Sequence, residues 1–339
     1  MKTHPLEASR AQILAYRQAV GFLGERLPPG ASSLRRAAWA GLQDSMPRAA
    51  LLSIHARVER TGPSTWEDPA LVQLWGPRFS AFVVAAQDRG VFTLGRLPDG
   101  GHRRRAEGTA DRVEALLAGG RMTYGEAGHA LGVAPNSLRY AAPTGRVLMR
   151  WDGARQPVIW TVPAPEIEPR EARLELARRY LHVFGPTTAR AFGEWAGIAP
   201  TQALAAIEAL ERDLVRVRTP VGDAWILASD EPNLAAPVPR PAQARLLPSG
   251  DAYTLLQGAQ RELLVPDAEC RGALWTPRVW PGSLLVGGEL AGTWQRADAK
   301  VTLRPWRSLA TNERTAVEEE AESLPLPEIA GRIAISWRD

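Results

Sequence analysis

The sequence predicts an α+β protein in which tandem winged-helix domains are followed by a β-rich C-terminal domain. Two consecutive stretches repeat the order of helix, turn, helix, helix and two-stranded wing. A proline-rich segment, Pro232–Pro248, then leads into a region whose pattern changes to strands. With 339 residues, the chain is also too long for one ordinary domain of about 100–200 residues.

The clearest repeat runs from about Thr109 to Val162. Thr123 begins its second helix as an N-cap, with Glu126 three residues further on, as in a capping box. Two extended runs around an Asp-Gly turn form its wing, which is a strong hairpin signal. The predicted elements are the helices Asp111–Ala118, Tyr124–Leu131 and Asn136–Ala141 and the strands Arg146–Trp151 and Pro157–Val162.

A second repeat, from about Pro169 to Leu227, has the same order of elements. Thr187 and Thr188 are expected to cap its second helix, which continues to Trp195. Its other elements are the helices Glu171–Phe184 and Thr201–Arg212 and the strands Leu214–Arg218 and Ala224–Leu227. A further repeat is expected within residues 8–85, with helices over Gln12–Leu23, Leu34–Leu42 and Ala50–Arg57.

Strand patterns dominate the region after the prolines, which is expected to form a compact β-barrel or α+β domain. Gly287–Gly288 is predicted to be a two-residue hairpin turn. The elements are the strands Ser283–Val286, Glu289–Trp294, Lys300–Pro305 and Gly331–Trp337 and the helix Thr311–Glu322. The predicted domains are therefore residues 1–100, 101–165, 166–232 and 233–339.

The charge and the architecture together favour double-stranded DNA as the partner. The formal net charge is +4, and the basic side chains are almost all arginine. Arginine suits bidentate contacts with phosphates and guanine edges, although a GC-rich genome also raises its frequency. A winged helix can place one helix in a major groove, but many such units contact proteins instead. Because the unit occurs in consecutive copies, DNA binding is the favoured interpretation.

Several other classes of protein are not expected. No apolar run approaches the ~20 residues that span a bilayer, and the N-terminus lacks the apolar core of a secretory signal. The single cysteine, Cys270, cannot form an internal disulfide or a cysteine-based zinc finger. Neither a Walker loop nor a dinucleotide fingerprint is present, and the histidines lack metal-ligand spacing. We expect a cytoplasmic monomer that needs no cofactor.

Five stretches of the sequence carry a family resemblance: Gly41–Pro47 with His55–Arg57, Tyr180–Thr188, Leu246–Pro248, Asp251–Tyr253 and Val286–Trp294. With these stretches the sequence resembles the winged-helix DNA glycosylase family of AlkZ-like and YcaQ-like proteins. The resemblance implies three winged helices stacked into a C-shaped scaffold with a basic channel. It also implies excision of alkylated bases, including bulky and crosslink-derived lesions, without a metal. By this resemblance, Arg146–Val162 is the β-hairpin that contacts DNA near the lesion.

The catalytic motif of that family is Gln-x-Gln or Gln-x-Asp, and the matching segment here is Gln43-Asp44-Ser45. The resemblance implies that these three residues are the candidate catalytic site. Ser45 departs from the motif, and its hydroxyl has no charge and is a poor base. A second departure is Phe82, which stands where many relatives carry histidine in an Arg-x-Thr-x-His pattern that begins here at Arg78. Excision is therefore one hypothesis among several.

Each candidate also has a structural interpretation. Gln43 is also interpreted as a residue that caps or bridges helices, and Asp44 is a candidate N-cap for a helix over Met46–His55. His55 is interpreted as a buried, hydrogen-bonded histidine, and Arg57 as a partner of Glu59 or another neighbour. The basic run His102–Arg105 follows a loop signal at Pro98–Gly101 and is expected to be a loop that either contacts phosphate or is only solvated.

Nine arginines are the candidate DNA contacts: Arg57, Arg78, Arg103, Arg104, Arg105, Arg139, Arg146, Arg150 and Arg155. Three functions remain open at this point. The first is an alkylation-type DNA glycosylase that acts by water attack on damaged DNA. The second is a non-catalytic protein that binds damaged or unusual DNA structures, and the third is a transcriptional regulator.

Overall fold

The structure is a computed structural model that describes residues 5–46, 48–153, 155–237, 244–326 and 332–338. The helices are α1 (Arg10–Val20), α2 (Ala31–Ala37), α3 (Ala49–His55), α4 (Arg89–Thr93), α5 (Gly100–Leu117), α6 (Tyr124–Ala130), α7 (Pro169–Phe184), α8 (Ala189–Ala196), α9 (Pro200–Ala209), α10 (Glu231–Ala235), α11 (Gln260–Leu264), α12 (Ala268–Leu274) and α13 (Thr311–Glu322). Within the described ranges, no helix combines the length and the apolarity needed to cross a membrane.

The strands form four sheets in the part of the chain that the structure describes. They are β1 (Leu6–Glu7), β2 (Leu42–Gln43), β3 (Leu71–Trp75), β4 (Ala81–Ala85), β5 (Arg121–Thr123), β6 (Val147–Arg150), β7 (Val158–Thr161), β8 (Leu214–Thr219), β9 (Gly222–Leu227), β10 (Arg245–Leu247), β11 (Gly282–Val286), β12 (Glu289–Ala297), β13 (Lys300–Pro305) and β14 (Ala334–Trp337). Their orders are β2-β4-β3, β5-β7-β6, β1-β8-β9 and β10-β11-β12-β13-β14.

Three units share one plan, in which a short strand after the first helix pairs with the last strand of a hairpin. In the first unit β2 pairs with β4, and in the second β5 pairs with β7. In the third unit, a bridge between Thr187 and Trp225 on β9 takes the place of that pairing. The helices and hairpins of the second and third units follow the order that the repeated sequence pattern predicted, whereas the short strand after the first helix was not predicted.

Most of the predicted local elements are confirmed. The capping box of Thr123 and Glu126 is present, and the side chain of Thr188 accepts a hydrogen bond from Ala191 as the N-cap of α8. The segment predicted as Asn136–Ala141 is helical, but it is a 3₁₀ helix over Pro135–Thr144. The helix predicted over Leu34–Leu42 ends at Ala37, since Leu42 begins β2.

The basic run His102–Arg105 lies in α5, so the prediction of a loop there is wrong. Asp99 has the extended backbone of an N-cap, which lets a helix start directly at Gly100 despite the two glycines. Arg103 forms an ion pair with Glu107 one turn further on, which supports the helix.

The proline-rich segment Pro232–Pro248 has regular structure at both of its ends. It contains most of α10 and the strand β10, while residues 238–243 lie outside the described part of the chain, as do Pro47 and Gly331. The C-terminal hairpin is confirmed, with Gly287 and Gly288 at positive φ between β11 and β12. The last strand, β14, pairs in parallel with β13.

The N-terminal residues pack on the third unit, although in sequence they directly precede the first unit. β1 pairs in parallel with β8, and α1 packs against α7 and α10. One apolar cluster then runs through all four predicted domains and includes Leu14, Phe82, Leu148, Phe192 and Tyr253. The units are therefore packed against a shared core, which fixes the positions of the polar residues at their junctions.

Candidate nucleic-acid interface

Gln43 lies where the first unit meets the C-terminal domain. It pairs with Phe82 across the β2–β4 ladder, so the two side chains lie on the same face of the sheet. Arg78 donates from Nη2 to Gln43 Oε1 at 3.4 Å. Gly250 packs so closely that a Cβ there would lie 3.0 Å from Nε2 of Gln43. The amide is therefore half-buried and held from two sides.

Asp44 lies below the surface, with 1% of its area exposed. One carboxylate oxygen accepts from the Ala50 amide in the first turn of α3 at 3.0 Å, and the other accepts from Gln73 Nε2 at 2.6 Å. Gln73 Oε1 in turn accepts from the backbone of Trp151. Burial raises the pKa of Asp44 to about 7, although the Ala50 hydrogen bond opposes the shift. The N-cap prediction is therefore wrong in its position, because α3 begins at Ala49 with Arg48 as its N-cap, but the Asp44 side chain does accept a hydrogen bond in the first turn of that helix.

Ser45 is exposed and lines an open cleft of about 740 Å³ between the first and second units. Its other lining residues are Trp75, Ala81, Tyr124, Asn136, Arg139, Met149, Trp151, Arg155, Gln156 and Pro157. None of these described residues is acidic. In the described part of the chain, no carboxylate lies within salt-bridge distance of Arg139. The cleft therefore combines aromatic rings with uncompensated positive charge.

The turn at Arg78 and Phe79 joins three units. Both residues have positive φ, 54° and 57°, which is a strained conformation for side chains with a Cβ. A Cβ on Gly197 at the end of α8 would lie 3.0 Å from the Arg78 amide, and the Phe79 ring packs edge-on against Tyr140 at 4.9 Å. Burial lowers the pKa of Arg78. The Arg78 side chain, which the sequence analysis gave as a candidate DNA contact, is thus half-buried and hydrogen-bonded to Gln43.

The motif residues His55 and Phe82 are part of the packed interior. His55 is buried, and its Nε2 lies 3.0 Å from the Ser323 hydroxyl. Burial lowers its pKa to about 3, and the charges of Arg26 and Arg245 add to the shift. The interpretation of His55 as a buried, hydrogen-bonded residue is therefore confirmed. Phe82 is fully buried against the shared core.

Arg57 forms a buried ion pair with Asp251 of the C-terminal domain. Both guanidinium nitrogens donate to the carboxylate at 2.7 Å, and Ser53 donates to the same group. Only 3% of the Arg57 side chain is exposed. The prediction of an ion pair with a neighbour is confirmed, with Asp251 in place of Glu59. The expectation of a phosphate contact is corrected, because this guanidinium is already paired and enclosed.

Comparison with protein-family models matches residues 36–325 to the family described as DNA glycosylase AlkZ-like. The chain belongs to the AlkZ-like DNA glycosylase family. Among solved structures, it is similar to the DNA glycosylase AlkZ of Streptomyces sahachiroi, with 20% identity and a TM-score of 0.79 over 98% of this chain and 100% of that chain. No curated protein matches. The resemblance drawn from the sequence is confirmed, and the structural likeness shows a shared α+β fold.

The remaining candidate arginines of this AlkZ-like protein differ in how they are paired. Arg104, Arg105 and Arg155 are exposed. The others form ion pairs: Arg103 with Glu107, Arg146 with Asp111 and Glu114, and Arg150 with Glu67. Exposed ion pairs contribute little to stability, so the paired arginines can exchange a carboxylate for a phosphate at small cost.

Two further arginines at the unit junctions were not found from the sequence. Arg48 lies over the Trp66 ring at 4.7 Å, beside Arg150 at 4.5 Å. Arg96 is buried and donates to the carbonyls of Trp75 and Ala196, and burial lowers its pKa to about 9. Neither has a spacing or motif that indicates its place, because both contacts join segments distant in the chain.

Proposed function

We propose that this protein binds double-stranded DNA at the cleft and hydrolyses the N-glycosidic bond of alkylated purines. The observation that carries the proposal is the cleft without acidic lining residues, where Arg139 and Arg155 line the same cavity as Ser45, the neighbour of Asp44 in the candidate motif. Phosphates account for most of the affinity in DNA binding, so arginines beside aromatic rings in a cleft without acidic lining residues suit a DNA strand. We assign the three units to winged helices arranged in a C-shaped scaffold, which fits their common strand order.

Excision in this proposal depends on Gln43. A purine alkylated at N7 is already cationic and leaves easily, so the protein must mainly orient a water and tolerate a developing sugar cation. An amide oxygen can orient water by hydrogen bonding, and the amide is held at Oε1 by Arg78 and packs at Nε2 against Gly250. Asp44 is a positioning residue, because it joins β2 to α3 and, through Gln73, to the second unit. Ser45 offers only a neutral hydroxyl to the cleft.

A non-catalytic DNA-binding protein is the second candidate. It is favoured by the burial of Asp44, which keeps the one carboxylate of the motif away from the cleft. A carboxylate both stabilises a sugar cation and activates water, whereas an amide and a hydroxyl carry no charge. Binding and excision are therefore tested separately.

We expect the double variant Arg139→Ala/Arg155→Ala to bind duplex DNA more weakly, with a reduced dependence on salt. Each lost phosphate contact lowers the slope of log affinity against log salt by about 0.9, so the slope should fall by about 1.8. Fluorescence anisotropy across a salt titration measures it. The control is Arg307→Ala/Arg332→Ala, whose arginines are paired with Glu313 and Glu322 on α13. Equal slopes for the two double variants would remove the cleft from the interface.

The wild-type protein is expected to release N7-methylguanine from duplex DNA, as detected by strand cleavage at the resulting abasic sites in alkali. Gln43→Ala should lower the single-turnover rate by about 100-fold, since general acid–base and water-orienting groups contribute roughly that much. Affinity for the same duplex should stay within about twofold of wild type, because the change does not remove a cation. Intact binding without release by wild type would overturn excision in favour of the non-catalytic candidate.

A further inference from the structure

A second groove begins at Met46, directly after the Ser45 that lines the cleft. It has a volume of about 520 Å³, within the usual range for ligand sites. One wall comes from the entry to α3 and the other from the segment before β11. The floor is the part of β12 that extends beyond its pairing with β11, which stops at Trp294 and Gly282. The open edge of β12 thus creates a concave surface on the C-terminal domain.

Three arginines give this groove a positive charge. Arg296, Arg304 and Arg338 line it, and no carboxylate of the described residues forms a salt bridge with any of them. Arg338 lies beside Arg304, because its backbone amide donates to the Leu303 carbonyl. None of the described residues that line the groove is acidic. The groove is therefore suited to an anion. Because several arginines lie along it, a polymer with repeated negative charges fits better than a single small ion.

Apolar side chains are exposed in the same groove. Val279 is 59% exposed and Met46 39%, which is unusual for large apolar residues beside unpaired charges. Trp280 stands next to them with its indole fixed, because Nε1 donates to the Thr276 carbonyl and Arg261 lies 5.2 Å from the ring centre. A wall of aromatic and apolar side chains, with the tryptophan already held in place beside the arginines, suits a polymer that carries both phosphates and flat apolar faces.

The groove also connects to the candidate catalytic segment. Ser249 lines it, and the next residue, Gly250, packs against the side chain of Gln43. We propose that this groove binds a single-stranded stretch of DNA, the strand that loses its base pairing when a duplex is opened at Gln43. Unpaired bases expose the apolar faces that the groove can cover, whereas a paired duplex keeps them stacked. The inference rests on the proposed DNA binding.

The test compares two DNA duplexes of equal length, one fully paired and one with a short internal single-stranded gap. We expect wild type to bind the gapped DNA more tightly, and Arg304→Ala/Arg338→Ala to lose that preference. For the gapped DNA, the salt slope should fall by about 1.4, since a single-strand phosphate contact contributes about 0.7. Affinity for the paired duplex should change much less. Arg307→Ala/Arg332→Ala is the matched control, because both of its arginines pair with α13.

The outcomes separate this inference from the proposed function. Wild type that binds neither DNA would overturn both. Wild type that binds the paired duplex without preferring the gap, or a groove variant that keeps the preference, would overturn the groove alone. If an acidic peptide competes for the groove as well as a single-stranded oligonucleotide does, the groove would be assigned to a peptide partner and not to DNA. Trp280→Ala provides a second measurement, with an expected loss of about tenfold in affinity for the gapped DNA from lost stacking.

Discussion

Replacing Asp251 by alanine is expected to destabilise the protein by about 3–5 kcal/mol, the usual cost of breaking a buried ion pair on one side. The change leaves the Arg57 guanidinium buried at 3% exposure without its counter-charge. It also removes acceptors from the Ser53 hydroxyl and the Tyr253 amide. Because the pair joins the segment directly after α3 to the C-terminal domain, its loss also loosens the wall that holds Gln43. Urea unfolding followed by tryptophan fluorescence measures the change.

The control for this prediction is an ion pair with the same chemistry but full access to water. Arg103→Ala removes the exposed pair with Glu107 on α5, and it should change the free energy of unfolding by less than about 1 kcal/mol. A second control replaces both buried partners, Arg57→Met with Asp251→Leu, and should recover much of the stability lost in Asp251→Ala, because no charge stays buried alone. A loss below about 1 kcal/mol for Asp251→Ala would contradict the argument.

The stability that the Arg57–Asp251 ion pair contributes depends on pH. Burial alone would raise the pKa of Asp251, but the charge and hydrogen bonds of Arg57 outweigh burial and hold the pKa below its usual value. A lowered pKa in the folded state means that the contribution is complete above the unfolded value of about 3.9. It is lost as the pH falls further, through the folded value. The Asp251→Ala variant should therefore differ least from wild type in strong acid.

The local elements were predictable because their signals are short-range. The capping box at Thr123, the glycine turn at Gly287 and the acidic helix Thr311–Glu322 depend on residues within a few positions of one another. The pairing of β1 with β8 and the packing of α1 on α7 depend on residues about 200 and 160 positions apart. No periodicity carries such information, so the N-terminal helix was assigned to the wrong neighbour.

The candidate site also has a part that the sequence could predict and a part that it could not. The resemblance to the family was sufficient to propose Gln43 as a candidate catalytic residue and to question Ser45. It did not indicate that Asp251, almost 200 residues later, pairs with Arg57, so the sequence left that arginine with two interpretations, a phosphate contact or an ion pair with Glu59 or another neighbour. The basic run at His102–Arg105 was placed in a loop because its glycines dominated the local pattern, whereas Asp99 starts a helix there. A charged side chain has partners that are set by the fold, and its role follows from those partners.

Asp44→Asn is expected to remove a fall in stability that wild type shows as the pH rises from about 4 to about 7. Burial raises the pKa of Asp44 from 3.8 to about 7 in the folded protein. Over that range the folded state binds more protons than the unfolded state, so the free energy of unfolding decreases with pH. The full change corresponds to about 4 kcal/mol, at 1.36 kcal/mol for each pH unit. Asparagine cannot ionise, so its variant lacks this contribution.

The measurement is the difference in unfolding free energy between wild type and Asp44→Asn at several pH values. A constant offset is expected in addition, because the asparagine amide can keep the Ala50 hydrogen bond but presents donors to Gln73. Glu313→Gln is the control, since hydrogen bonds from Arg307 and Ala310 lower the pKa of Glu313 to about 2, and its difference from wild type should stay nearly constant above about pH 5 and change, with the opposite sign, only in stronger acid. A difference that stays flat from pH 4 to 7 would show that Asp44 is ionised throughout. Its hold on Gln73 and the hairpin beside the cleft would then not depend on pH.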